Sequence, residues 1–146
     1  MNSEIRAPMR RIVDYALRAG RDGLIYALLG WVGLALAIPP GYASPLFPAA
    51  GFAVGLMLLS GRRAWPGIFL GSLVLNLVAG GGASSLSGLV VPVFIAAGAT
   101  LQAWVAATLV ARLTQDGWRG MEVARDTVRS LLAAGPAASV VSATVG

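Results

Sequence analysis

Residues 64–111 read AWPGIFLGSLVLNLVAGGGASSLSGLVVPVFIAAGATLQAWVAATLVA, 48 positions without one charged side chain. A membrane-spanning helix needs about 20 mostly apolar residues, and a charge near mid-bilayer is costly, so this length suits a helical hairpin rather than one span. The natural break is Gly80-Gly81-Gly82-Ala83-Ser84-Ser85, a run of small, turn-forming residues. Two more charge-free stretches flank it, residues 23–61 and 130–146. The first breaks at Pro39-Pro40-Gly41, where tandem proline and glycine end a helix.

The expected fold is therefore an all-α polytopic transmembrane helix bundle with four complete spans and a truncated fifth. The spans fall at about 22–38, 48–61, 66–79, 92–113 and 130–146, with Pro48 suited to a first helical position. Residues 1–21 form a basic N-terminal arm, and 22–146 the membrane domain. The composition agrees. Of 146 residues, 57% are hydrophobic and 12% charged, whereas soluble domains carry about 25% charged residues.

All eleven basic residues are arginine, against six acids, giving a net charge of +5. Their placement accounts for the excess. Arm, first turn, second connection, glycine-rich turn and last connection hold 5, 0, 2, 0 and 4 arginines. By the positive-inside rule the N-terminus and both arginine-bearing connections face the cytoplasm. Nucleic acid is not an expected partner, because topology explains the basic residues. A cleaved signal peptide is not expected either, since the basic region is long and further hydrophobic spans follow.

Cysteine and histidine are absent. Thiolate and imidazole metal sites, cysteine nucleophiles and Ser/His pairs are thereby excluded, and no catalytic residue, metal or cofactor is expected. Apart from Asp22 and Arg112 at the ends of the first and fourth spans, no acid or base is expected within the four spans, which weakens an ion-coupled transporter.

Small residues recur at helical neighbour spacing: Gly51 and Gly55, Gly67 and Gly71, then Ala96, Thr100, Ala103, Ala107 and Ala111. Such faces let backbones approach in lipid, within this bundle or between two copies of it. Polar groups at depth are few. Ser72 and Asn76 share a side of helix three about 120° from the glycines, and Gln102 lies midway along helix four. These amides are interhelical hydrogen-bond partners or ligand contacts. Span two is short, so the uncharged segment 41–47 is expected to dip into the outer leaflet as a sensory vestibule or a plain loop cap, with Tyr42 and Ser44 beside the helix N-terminus. Arg62, Arg63 and Trp65 mark the cytoplasmic interface, while Trp31 and Trp104 are expected deeper, in bundle packing.

Several of these residues form a familiar pattern: Ser44-Pro45-Leu46-Phe47-Pro48-Ala49-Ala50-Gly51, then Gly61-Arg62-Arg63-Ala64-Trp65-Pro66-Gly67-Ile68-Phe69-Leu70-Gly71 and Asn76. With Ala97 to Ala103, Arg125-Asp126 and Ser142 to Gly146, the chain resembles the MASE1 family of bacterial integral-membrane sensor domains over about residues 23–146. The resemblance implies a non-catalytic input module placed before a histidine-kinase, diguanylate-cyclase or phosphodiesterase domain, of which this chain looks like an N-terminal portion. The implied partners are the lipid bilayer, a cytoplasmic effector in a longer chain, and a small ligand or partner membrane protein; a homo-dimer is open. The alternative class is a small oligomeric transporter or transporter subunit.

Overall fold

The computed structural model describes residues 3–36, 47–82, 86–113 and Val140. Its elements are helical: α1 (Ser3–Ala35), α2 (Pro48–Ser60), a 3-10 turn (Gly61–Ala64), α3 (Trp65–Ala79) and α4 (Leu86–Leu113). The all-α class holds. The proposed fifth span lies outside the described residues apart from Val140, which is helical.

Two helix starts differ from the sequence reading. Helix α1 begins at Ser3 rather than near residue 22, so the basic arm and the first apolar segment are one helix of 33 residues. Charge runs mark where a helix leaves an apolar medium, but arginine is a good helix former and does not end it. Helix α4 begins at Leu86, and Pro92 sits inside it rather than at its start. Proline is tolerated within helices of this apolar kind, where local adjustment and neighbours satisfy the freed backbone groups. Helices α2 and α3 match their expected spans within a residue.

Glycines end the middle helices for a conformational reason. Gly61 closes α2 at φ 63°, while its N–H donates to the Met57 carbonyl. After α3, Gly81 and Gly82 adopt φ 78° and 93°, and the Gly82 N–H reaches back to the Leu77 carbonyl at 2.8 Å. This left-handed helix ending carries a steric penalty for a side chain with a Cβ.

Residue pairings set the helix directions. Gly23 meets Gly67 and Gly71 while Gly30 meets Leu75, so α1 and α3 run parallel. Gly33 near the end of α1 meets Phe47 and Pro48 at the start of α2, so these two run opposite. Helices α1 and α4 each contact both α2 and α3. The interior is lined by small side chains, with Ala49, Ala53, Ala64, Ala103 and Ala107 around Tyr26, Met57 and Ile68. The exterior carries the large apolar ones, among them Leu24, Leu28, Trp31, Val74, Val78 and Phe94. That distribution reverses the pattern of a water-soluble bundle and suits lipid, where packing of small residues replaces the hydrophobic drive between helices.

Of the described helices, α4 over Gly88–Arg112 is long and apolar enough to cross a membrane. Helices α2 and α3, at 13 and 15 residues, are about 20 and 22 Å long, short of a hydrocarbon core of about 30 Å.

Candidate functional site

The segment Gly61 to Gly67 is an elbow on which α1 and α4 converge, and nearly every residue in it has an identifiable physical task. Gly61 supplies the positive φ that turns the chain out of α2. The Arg62 guanidinium lies 5.5 Å from the centroid of the Trp104 ring on α4, a cation–π contact of about 0.5–1 kcal/mol at an exposed position. The Arg63 carbonyl accepts a hydrogen bond from the Tyr15 hydroxyl of α1 at 3.3 Å. Ala64 is buried. Trp65 is exposed and meets Phe69 edge-on at 6.5 Å between centroids. Pro66 stands in the first turn of α3, where its missing N–H costs nothing.

Gly67 and Gly71 lie against α1. A Cβ on Gly67 would sit 3.0 Å from the Asp22 Cβ and 3.1 Å from the Ala19 carbonyl oxygen. One on Gly71 would sit 2.9 Å from the Tyr26 Cβ and 3.0 Å from the Gly23 Cα. The two backbones therefore touch with no side chain between them. Gly51 and Gly55 have the same spacing and a different setting, because a Cβ at either would meet no described residue within 4 Å.

On α4, Ala96, Ala103 and Ala107 are buried, whereas Ala111 is exposed, so the small-residue stripe stops one turn before the helix end. The Thr100 hydroxyl donates to the Ala96 carbonyl at 2.8 Å, within its own helix. Trp104 and Trp31 are both exposed rather than packed in the bundle. The buried positions beside them are taken by alanine and glycine, which leave no room for indole rings.

The polar residues divide. Ser72 is 1% exposed and shares a side-chain hydrogen bond with Tyr26 of α1. Asn76 donates to the Ser72 carbonyl at 2.8 Å and approaches its hydroxyl at 3.4 Å. Its amide is thus occupied within α3 and does not bond Gln102. Gln102 is half-buried and makes no hydrogen bond to a described residue. Tyr42 and Ser44, with the vestibule they were expected to form, lie outside the described residues.

Sequence reasoning overlooked two residues of the α1–α3 contact. Tyr26 is 3% exposed, and Asp22 is 8% exposed with its carboxylate held by Arg21 at 2.8 Å. The available signal was Gly23 and Gly30 on α1, seven apart and hence on one face. Asp22 and Tyr26 flank Gly23 on that same side of the helix. Among the described residues no group of acidic side chains could hold a metal ion.

Between α3 and α4 an apolar groove of about 540 Å³ runs from Arg62 and Trp65 past Met57 and Phe69 to Ala97 and Leu101. An apolar exterior, close-packed glycines and a tryptophan–arginine rim define the class: an α-helical membrane-associated domain. The match to known families makes it specific, for the MASE1 profile covers residues 21–146. The chain belongs to the MASE1 family of membrane-associated sensor domains, which are sensory and not catalytic. Comparison with curated proteins and with solved structures finds no match.

Proposed function

We propose that this chain is the membrane-embedded input domain of a bacterial signalling protein, whose output is a cytoplasmic effector of histidine-kinase or cyclic-di-GMP type in a longer chain. Membership of MASE1 over residues 21–146 is the observation that carries this reading. In the proposed topology the domain crosses the inner membrane four times, opens a fifth span near residue 130, and keeps residues 1–21 in the cytoplasm. The arginine tally supports that arrangement. So does the placement of Tyr15, Arg63, Arg62 and Trp104 at a common end, as a cytoplasmic N-terminus requires.

The proposed signal is a small shift of α1 against α3, biased by a ligand or a partner membrane protein. Ligand access differs among the candidate groups. Ser72 is sealed between helices, whereas Gln102 has an amide available for a new hydrogen bond. Interhelical bonds of this kind contribute about 0.6–2 kcal/mol in a membrane, enough to move a balanced equilibrium several-fold.

The test uses a full-length parent carrying its effector. Asn76→Leu and Gln102→Leu are expected to lower output per folded molecule, with Gln102→Leu the more selective because it removes no bond seen within the bundle. Unchanged output per molecule with lower abundance would make both amides structural.

A further inference from the structure

We propose that the concave site between the N-terminal half of α1 and the α2–α3 elbow binds the phosphate headgroup of an anionic phospholipid. The site has a volume of about 940 Å³ and is lined on one side by Arg11, Asp14 and Arg18, and on the other by Leu59, Ser60 and Arg63. Positions 11, 14 and 18 recur every three to four residues and so occupy one face of α1, turned toward Arg63.

The charge within the site is unbalanced. Asp22 also borders it, but its carboxylate is engaged by Arg21. Among the described residues three arginines then stand against Asp14. No ion pair joins any of Arg11, Arg18 and Arg63 to a carboxylate among the described residues. Gathering three guanidiniums around one concavity is unfavourable without an anion, and the planar guanidinium fork suits phosphate oxygens in a bidentate manner.

Two features favour a lipid over a soluble phosphate. Leu59, 69% exposed, belongs to the same wall as Ser60 and Arg63, so the polar site borders an apolar surface fit for an acyl chain. Trp65, an exposed aromatic two residues after Arg63, marks the depth of the membrane interface. Basic recesses at that depth on the cytoplasmic side hold anionic headgroups.

The experiment uses the full chain in non-ionic detergent, titrated with phosphatidylglycerol or phosphatidylcholine, with retained lipid counted by native mass spectrometry. It depends neither on orientation in the membrane nor on any signalling output, so its result stands apart from the sensor reading. Phosphatidylglycerol is expected to be retained in preference, and Arg18→Gln with Arg63→Gln to weaken it roughly fivefold per arginine. Arg10→Gln with Arg112→Gln removes the same charge outside the site and should change retention by less than about twofold. Arg18→Lys with Arg63→Lys keeps the charge and loses the fork; a loss between those two results is expected, and it serves if the glutamine variants unfold. Equal losses in the two glutamine doubles would reduce the effect to general basic charge and overturn the site. No preference over phosphatidylcholine would overturn it too, as would saturation by inorganic phosphate against which phosphatidylglycerol cannot compete.

Discussion

Helices α2 and α3 each carry two glycines four residues apart, yet they meet opposite surroundings. Gly67 and Gly71 on α3 touch the backbone of α1, whereas among the described residues nothing approaches the α2 pair Gly51 and Gly55. The difference lies in the partner. Gly23 on α1 presents a bare backbone to α3, where an added Cβ would lie 3.0 Å from the Gly67 carbonyl oxygen and 3.3 Å from the Gly71 nitrogen. Spacing makes a smooth face; a second smooth face turns it into a contact. By the same logic the α2 pair becomes a contact only where a second smooth face meets it.

The largest effect should come from Gly71→Ile. A branched side chain there must displace Tyr26 and the Gly23 backbone, and the detergent-solubilised protein should lose at least about 1–3 kcal/mol of stability. Gly67→Ile acts the same way against Asp22 and Ala19. Val74→Ile on the exposed side of α3 is the control. Equal melting temperatures for Gly71→Ile and the parent would mean that this face meets lipid.

A smaller, more diagnostic effect is expected from alanine. Gly23→Ala and Gly71→Ala should each destabilise, and the double variant should depart from their sum by about 0.5–3 kcal/mol, as residues in contact do. Strict additivity in thermal melts would place the two glycines in separate contacts and break the comparison.

The smallest effect on the monomer belongs to Gly55→Ile, within about 0.5 kcal/mol because no described residue approaches it. Its readout is association. If α2 forms the dimer face, the variant should lose self-association in crosslinking or energy transfer while melting like the parent. A melting loss as large as that of Gly71→Ile would show another part of the chain seated on this face.

Much of the fold was legible because it rests on turn chemistry and charge. Gly61, Gly81 and Gly82 end helices through conformations available to few other residues, and α2 and α3 follow directly. The start of α1 was not legible, because arginines signal an interface but continue a helix. Pro92 misled for a related reason: a proline suited to a first turn is also accepted inside an apolar helix. At the site, Gly67 and Gly71 announced a close approach without naming its partner. Ser72 and Asn76 were visible as a polar pair, but whether a side chain bonds its own helix or the next depends on rotamers that spacing does not fix. Trp104 was expected inside the bundle because it is large and apolar; the interior instead uses alanine, leaving the indole to Arg62.

The most direct test of the account concerns sidedness. Alkaline phosphatase, active outside the cytoplasm, should be active when fused after Gly82 and inactive when fused after Arg63 or Asp116, as the arginine distribution requires. An inactive fusion at Gly82 alongside an active one at Arg63 would contradict the membrane arrangement on which the sensor reading depends.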